Sequence, residues 1–325
     1  MADALSDVLR VVRLLGGVFL HAEFTAPWCV LSQATPEDCG PLMPEVDHII
    51  LYHYVLEGRM AVEVANAPPV EVVARQAVVL PHNDMHRMGS DLNLKPVSSH
   101  DILQVQTDGS LAEIHHGGGG ARTRLICGFL GCRHVDGNPL LAALPPVLRL
   151  DTRDGAAAEW IRSCFNFAAE EIAAGHVGSA TVLAKLSELL FVEAVRRHVD
   201  ALPPERTGWL AALKDPFVAR ALALIHGRLS EPWTVDALAR EVGLSRSAFA
   251  ERFTRLIGQS PMHYLSCWRL QVAAQRLSTS HEAMGRIAYE VGYESEAAFN
   301  RAFKRLYGAP PATWRKRADG VMAGA

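Results

Sequence analysis

A duplicated pattern in the last third of the chain constrains the fold more than any other feature. The first copy occupies residues 238–261 and the second occupies residues 287–311. Val242 and Gly243 recur after 49 residues, whereas five later positions recur after 50, so the second copy has one extra residue at its turn. Each copy predicts a helix, a tight turn containing glycine, and a second helix, which together form a helix-turn-helix unit.

The residues at each turn favour this pattern. In the first copy, Gly243 permits the left-handed conformation that ends a helix, and Ser245 is a good N-cap for the next one. In the second copy, Gly292 takes the turn, and Thr279 with Glu282 fits a capping box for the first helix. Apolar residues spaced for one face of the second helices are Phe249, Phe253 and Leu256, and Phe299, Phe303 and Leu306. The intervening residues 262–277 predict one long connecting helix.

These positions together resemble the DNA-binding domain of the AraC/XylS family of bacterial transcription regulators. The resemblance covers roughly residues 209–317. Its matching residues include Ala239, Gly243, Phe249, Phe253, Gly258, Pro261, Tyr264, Arg269, Leu277, Ile287, Ala288, Gly292, Tyr293, Phe299, Phe303, Gly308 and Pro311. The resemblance implies two motifs that read successive major-groove segments on one face of double-stranded promoter DNA, with no catalysis.

The resemblance also assigns base-reading positions. They are Arg246, Ser247, Ala250 and Glu251 in the first copy, and Glu296, Ala297, Asn300 and Arg301 in the second. Arg301 could pair with guanine and Asn300 with adenine, whereas Ala250 is too short to hydrogen-bond a base. Glu251 either accepts from a cytosine amine or repels phosphate. Nearby cations are interpreted as phosphate contacts or solvated surface, and they are Arg252, Arg255, Lys304, Arg305, Arg315, Lys316 and Arg317.

The charge distribution agrees with a nucleic-acid partner for one part of the chain. Residues 209–325 hold 16 Lys and Arg against 10 Asp and Glu, whereas residues 1–208 hold 16 against 25. Such asymmetry is expected when only one module touches phosphate. No apolar run is long enough to span a bilayer, and the first 17 residues predict an amphipathic helix rather than a signal peptide. We therefore expect a cytoplasmic protein that does not associate with membranes.

The N-terminal half predicts a different fold. Residues 23–126 alternate short β-prone runs with Gly and Pro, which is typical of a sandwich or barrel. Residues 53–58 and 79–86 resemble the core segments of a cupin barrel, and the whole half resembles the cupin-like effector domain found ahead of some AraC-type DNA-binding domains. Matching residues include Pro27, Trp28, His53, Pro81, His86, Cys127 and Gly128. The resemblance implies a small-molecule effector, for which the candidate residues are His53, His82, His86 and Trp28.

Histidine and cysteine are dense in this half, and three interpretations stay open. The residues are ordinary packed side chains, a site for zinc or copper, or a thiol redox switch. The candidates for metal or redox chemistry are His82, His86, Cys29, Cys127 and Cys132, with His82–His86 and Cys127–Cys132 as the pairs to test, and Cys39 lies in the same domain. The metal-binding cluster of cupins is incomplete, and a Cys127–Cys132 disulfide on one strand would need a bend at Gly128 or Gly131.

Residues 151–199 predict two helices whose wide apolar face either packs on the barrel or pairs with a second subunit. The expected organisation is an effector domain (1–150), helices for linkage or dimerisation (151–200), a linker (201–208), a DNA-binding domain (209–317) and a tail (318–325). The expected fold class is α+β multidomain, with an N-terminal cupin-like β-barrel, middle helices and a C-terminal all-α tandem helix-turn-helix domain.

The predicted function is sequence-specific transcription regulation, controlled by a small-molecule effector. Besides promoter DNA and the effector, RNA polymerase is an expected partner, and a homodimer is left open. Two alternatives remain at this point: a regulator that senses metal or thiol oxidation, and a metal-dependent cupin enzyme. A metal ion is the one candidate cofactor, and the main interpretation is that the chain is not an enzyme.

Overall fold

The computed structural model describes residues 3–12, 14–35, 46, 48–104, 112–132, 138–153, 156–174 and 179–322, so Cys39 lies outside the described residues. The chain forms two compact units. The sheet unit comprises Leu14–Cys132 and Leu144–Asp200, and the helical unit comprises Met1–Arg13, Arg133–Ala143 and Ala201–Ala325. Two short segments of the N-terminal half therefore group with the C-terminal helices.

Two β-sheets build the sheet unit. The strands are β1 (Leu15–Thr25), β2 (Cys29–Ser32), β3 (His48–Glu57), β4 (Arg59–Val64), β5 (Val70–Val73), β6 (Gln76–Leu80), β7 (His86–Gly89), β8 (Val97–Ser98), β9 (Leu103–Gln104), β10 (Ala112–Gly117), β11 (Arg122–Cys132) and β12 (Leu148–Asp151). One sheet has the order β12-β6-β3-β11-β1-β10-β9, and the other has the order β5-β4-β7-β2-β8. In the described ranges, the helices of this unit are α2 (Ser99–Ile102), α4 (Ala156–Ala174) and α5 (Ser179–Ala201).

Both sheets contribute side chains to one apolar core. Phe24, Val55 and Leu125 come from the longer sheet, and Val62 and Met88 come from the shorter one. Because side chains alternate along a strand, each sheet turns one row of β-branched and aromatic residues to this core. The packing of two antiparallel-rich sheets on one core confirms the expected cupin-like architecture.

The helical unit contains the duplicated pattern. Its helices are α1 (Ala4–Val12), α3 (Pro139–Ala143), α6 (Trp209–Ala212), α7 (Pro216–Gly227), α8 (Val235–Val242), α9 (Arg246–Ile257), α10 (Pro261–Thr279), α11 (Met284–Glu290), α12 (Glu296–Tyr307) and α13 (Pro311–Met322). The connecting helix α10 is confirmed, and α13 continues into the segment expected to be a tail. Within the described ranges, none of the helices combines the length and apolarity that crossing a membrane requires.

The second helix of each pair buries two aromatic side chains. Phe249 and Phe253 of α9 are buried and meet edge to face, and Phe299 and Phe303 of α12 are buried in the same way. The expectation that Leu306 continues this buried face is wrong, because its side chain is 44% exposed at the last turn of α12. The face of each second helix opposite the aromatic pair is therefore left to solvent.

Candidate functional site

The first helix pair has the turn that its residues predict. The Thr234 hydroxyl accepts a hydrogen bond from the Ala237 N–H at 3.1 Å and begins α8. Gly243 ends α8 with φ of 81°, a left-handed conformation that glycine adopts without steric cost. Ser245 then accepts from the Ala248 N–H at 3.3 Å and begins α9. The capping residues thus fix where the second helix starts.

The second pair has the same glycine turn and the same serine cap on its second helix, but its first helix begins differently. Gly292 has φ of 89°, and Ser295 begins α12 by accepting from the Ala298 N–H. The expected capping box of Thr279 and Glu282 is wrong, because α10 extends to Thr279 and α11 begins at Met284 with no side-chain cap. The Glu282 carboxylate instead accepts from the Arg276 guanidinium at 2.6 Å.

The candidate base readers lie on the exposed faces of α9 and α12. The side chains of Arg246, Ser247, Glu251, Glu296, Ala297 and Arg301 are exposed, and those of Ala250 and Asn300 are half-buried. Among the described residues, Arg301 has no hydrogen-bond or ion-pair partner. Arg246 differs, since its Nη1 lies 3.5 Å from the Asp236 carboxylate of the preceding helix. The two second helices thus present six of the eight predicted residues to solvent, whereas the Asn300 Oδ1 is buried.

Two of the cations interpreted as phosphate contacts or solvated surface form hydrogen bonds to other residues of the helical unit. The Arg252 guanidinium donates to the Asp215 carboxylate at 2.7 Å and lies over the Phe217 ring. Asp215 is also the N-cap of α7, so Arg252 stabilises a helix start instead. Arg315 donates to the Glu282 carbonyl at 2.6 Å. Lys304 and Arg305 are exposed, as expected of residues that face phosphate.

Arg269 contacts both the segment before the first helix pair and the turn of the second pair. Arg269 of α10 donates from Nε to the Leu229 carbonyl at 3.0 Å and from Nη2 to the Glu231 carbonyl at 2.6 Å. Its guanidinium also lies under the turn of the second pair, where a Cβ added to Gly292 would be 2.5 Å from Nη2. Arg269 therefore ties the segment before α8 to the turn after α11.

In the sheet unit, three candidate residues form a buried hydrogen-bond chain. His53 Nδ1 lies 2.8 Å from Cys127 Sγ, and His53 Nε2 lies 3.0 Å from His86 Nε2. His86 Nδ1 lies 3.1 Å from the Asp84 carbonyl, which can only accept. His86 Nδ1 therefore carries the proton, His53 donates from Nε2, and the Cys127 thiol donates to His53.

Burial keeps this chain neutral. The pKa of His53 lies well below the usual range, first because burial disfavours the cation and second because His86 is close. Burial lowers the pKa of His86 to about 4, despite the opposing effect of the Asp84 carbonyl. Burial also raises the pKa of the Cys127 thiol. A neutral thiol and two neutral imidazoles satisfy one another across the two sheets.

The structure does not bring together the pairs selected from sequence. His82 Nε2 donates to the Leu144 carbonyl at 3.0 Å, and the histidine that contacts His86 is His53. Cys127 and Cys132 lie on β11 with an unbroken register between them, facing His53 and His48 of β3 respectively. Without a bend the two thiols cannot approach, so the proposed disulfide between them is wrong.

The remaining candidates are packed residues. Cys29 is buried on β2, and Trp28 is buried against the Phe24 ring, with ring centroids 4.0 Å apart. Among the described residues, no three His, Cys, Asp or Glu side chains converge as metal ligands would. At the centre of the buried hydrogen-bond chain, the two ring nitrogens of His53 face different groups, Cys127 and His86. The three side chains therefore do not point at one common metal position.

Comparison with known proteins identifies both halves. Residues 3–200 match a family model described as cupin, and residues 238–317 match one described as helix-turn-helix domain. A putative AraC-like transcription regulator of Streptomyces lividans is 30% identical over 317 residues, which cover 97% of this chain and 98% of the relative. The regulator AlkR of Acinetobacter baylyi is 30% identical over 97% of this chain and 99% of its own length. The activator RclR of Escherichia coli, described as RCS-specific, is 27% identical over 97% and 98%.

The chain belongs to the family of AraC-like transcription regulators. The match covers nearly the whole length of its relatives, so the family assignment extends to both domains. As a member of this family, the protein is a DNA-binding transcription regulator with a cupin domain followed by a helix-turn-helix domain.

Proposed function

We propose that α9 and α12 enter successive major-groove segments of promoter DNA and that the eight candidate residues face the base edges. The proposal rests on one observation. Both helices begin at a serine N-cap, end at a glycine C-cap and bury a pair of phenylalanines, and each has a polar face exposed to solvent. A helix buried on one face and exposed at its first turns is the geometry with which helix-turn-helix proteins read bases.

Within this surface, the second pair offers the stronger base readers. Arg301 has no partner among the described residues, so its guanidinium is available for a guanine edge. The Asn300 Oδ1 is buried and has no hydrogen-bond partner in the described part of the chain, so the side chain would have to turn outward before its amide could pair with adenine. In the first pair, Arg246 would have to leave Asp236 before it could contact DNA.

We further propose that a small-molecule effector bound by the sheet unit controls DNA binding by shifting a conformational equilibrium. We also propose RNA polymerase as a partner, through which transcription would be controlled, and the cytoplasm as the location, where genomic DNA would be bound. A second copy of the chain is a further proposed partner. Its support is the exposure of four large apolar side chains on α4 and α5, which are Trp160, Phe167, Val182 and Leu189.

The test begins with mapping of the genomic sites that the protein occupies. A duplex from the best site and a random duplex of equal length are then compared in gel-shift titrations. We expect the site to bind at least ~1,000-fold more tightly at physiological salt, as specific DNA-binding proteins do. Equal affinity for the two duplexes would contradict sequence-specific recognition.

A further inference from the structure

The first residue of each second helix is a charged base-reading candidate, and the residue beside it differs between the two copies. Arg246 begins α9 and lies beside Asp236, the second residue of α8. Glu296 begins α12 and lies beside Gly285, the second residue of α11. The residues on the first helices are 49 apart in the chain, and those on the second helices are 50 apart, which are the offsets of the duplicated pattern. The two contacts are therefore equivalent.

In the first copy, a carboxylate holds the candidate reader. Arg246 Nη1 lies 3.5 Å from Asp236 Oδ2, and the two side chains are 70% and 56% exposed. An ion pair this exposed shifts an equilibrium by at most about fivefold. Arg246 must leave Asp236 before it can bind a guanine edge, so the guanine contact is weakened by that factor. When another base occupies the position, the ion pair stays closed and the factor does not apply.

In the second copy, the corresponding residue has no side chain. A Cβ added at Gly285 would lie 3.1 Å from Glu296 Oε2, which is closer than an ordinary van der Waals contact. The glycine therefore leaves room for the Glu296 carboxylate, and an acidic residue in its place would also repel that carboxylate. Gly285 thus suits an anionic reader, as Asp236 suits a cationic one.

Helix stability alone does not account for both residues. An aspartate in the first turn stabilises a helix through the helix dipole, whereas a glycine within a helix destabilises it. Two positions that served only the stability of α8 and α11 would favour the same kind of residue. The contrast between Asp236 and Gly285 follows the charge of the neighbouring reader instead.

We propose that Asp236 and Gly285 are positioning residues for the first base reader of each helix pair. Asp236 restrains Arg246 and so lowers the guanine preference of the first pair. Gly285 leaves Glu296 free to accept a hydrogen bond from a cytosine amine. The inference rests on the proposed function, because it requires that α9 and α12 face base edges.

The test compares the full-length wild type with Asp236→Asn, which keeps the size of the side chain and removes its charge. A mapped genomic site is prepared as a panel of duplexes that carry each of the four bases at every position of the two protected segments. In competition gel shifts, Asp236→Asn should prefer guanine at one position about fivefold more strongly than the wild type does. Preferences at the remaining positions should be unchanged.

Two control variants show whether Asp236 acts through Arg246. In an Arg246→Ala background, Asp236→Asn should change no base preference. Glu241→Gln removes the same charge from another exposed position of α8 and should leave the guanine preference as it is. Simple repulsion of phosphate by Asp236 would instead make Asp236→Asn bind every duplex more tightly, with or without the Arg246 side chain, and that result would overturn the inference.

Gly285→Asp tests the second copy. Its carboxylate should repel Glu296 and remove the preference for cytosine that Glu296 confers at one position of the other protected segment. Thermal unfolding should show a folded protein, because an acidic residue in the first turn of α11 is favourable. In a Glu296→Ala background, Gly285→Asp should have no effect on base preference.

The outcomes separate this inference from the proposed function. An unchanged guanine preference in Asp236→Asn, or an unchanged cytosine preference in Gly285→Asp, would overturn the inference even though the wild type discriminates among the duplexes. A wild type that binds every duplex of the panel equally would contradict the proposed function, and the inference with it.

Discussion

At the scale of single residues, the two recognition helices differ in what they offer to DNA. α12 presents the exposed Arg301, whose side chain can make two hydrogen bonds to one base, and Asn300 can do the same once its buried Oδ1 turns outward. α9 presents Glu251 and the short Ala250, and its Arg246 lies beside Asp236. We therefore expect most of the base discrimination to come from the second helix pair.

Arg301→Ala tests this expectation. Loss of a bidentate contact with guanine should cost about 1–3 kcal/mol of binding to the specific site, measured by gel-shift titration. Arg220→Ala is the matched control, because Arg220 is an exposed arginine of α7, outside both helix pairs. Equal loss on specific and random duplexes would show that Arg301 contacts phosphate and reads no base.

The buried His226 predicts a dependence of stability on pH. Burial lowers its pKa to about 3, and it stacks on Trp268 while its Nε2 accepts from the Tyr264 hydroxyl. The unfolded chain gains a proton at this residue below pH ~6.5 and the folded chain does not, so stability present above that pH is lost on acidification. Between pH 7 and pH 5 the loss from one such histidine is about 2 kcal/mol.

Urea unfolding of the wild type and His226→Phe at the two pH values measures this contribution. The variant should lose about 2 kcal/mol less of its unfolding free energy between the two pH values than the wild type does. His53 and His86 are retained in both proteins, so their contribution cancels in the comparison. An identical pH dependence in the two proteins would mean that His226 titrates alike in the folded and unfolded states.

At the scale of elements, the two glycine turns are alike in backbone and different in surroundings. Gly243 and Gly292 both have φ above 80°. A methyl group added at Gly243 meets no atom within 4 Å, whereas one added at Gly292 meets the Arg269 guanidinium, which two carbonyls hold in place. The second turn is therefore packed against the connecting helix, and the first is open.

Paired alanine substitutions separate backbone strain from packing. Gly243→Ala should cost about 1–2 kcal/mol in thermal or urea unfolding, the strain of a left-handed alanine. Gly292→Ala should cost more, because the methyl group also displaces Arg269. In an Arg269→Ala background the excess should disappear. An excess that persists without the Arg269 side chain would show that the contact has no energetic role.

A feature could be predicted from sequence when the residues that determine it lie close together in the chain. Ser245, Gly243 and the spacing of Phe249 and Phe253 act within one helix pair, so the turns could be predicted in advance. Glu282 could not, because its carboxylate binds Arg276 of the preceding helix instead of capping α11. Local pattern alone does not reveal which partner a charged side chain takes.

The contacts within the sheet unit were harder to predict, because they also join residues that are far apart in the sequence. His53 meets Cys127 only because β3 pairs with β11 in one register, and that register depends on the whole sheet. The sequence made both residues candidates without showing that they are neighbours. It also placed the candidate effector residues Trp28, His53 and His86 inside the barrel, where the structure has a packed core.

At the scale of the whole molecule, charge is divided between the two parts of the chain. Residues 209–325 carry 16 Lys and Arg against 10 Asp and Glu, although the net charge of the protein is −3. Each cation that contacts phosphate releases counter-ions, so DNA affinity should fall steeply with salt. The slope of log affinity against log salt concentration therefore measures the number of phosphate contacts.

Two cation deletions test which side chains take part. Lys304→Ala should reduce the slope of log affinity against log salt by about 0.9, because Lys304 is exposed on α12 and free to contact one phosphate. Arg252→Ala should leave the slope unchanged and lower stability instead, since its guanidinium is bound to Asp215. Salt titrations of both variants on one duplex measure this, and a changed slope in Arg252→Ala would contradict the assignment.

The central claim is that α9 and α12 bind successive major-groove segments. Its most direct test is a hydroxyl-radical and methylation footprint on a mapped genomic site. Two recognition helices in successive major-groove segments should protect two sets of bases about 10 base pairs apart, on one face of the duplex. Arg301→Ala should weaken the protection over one set more than the other. Protection of a single segment, or of none on any mapped fragment, would contradict the account.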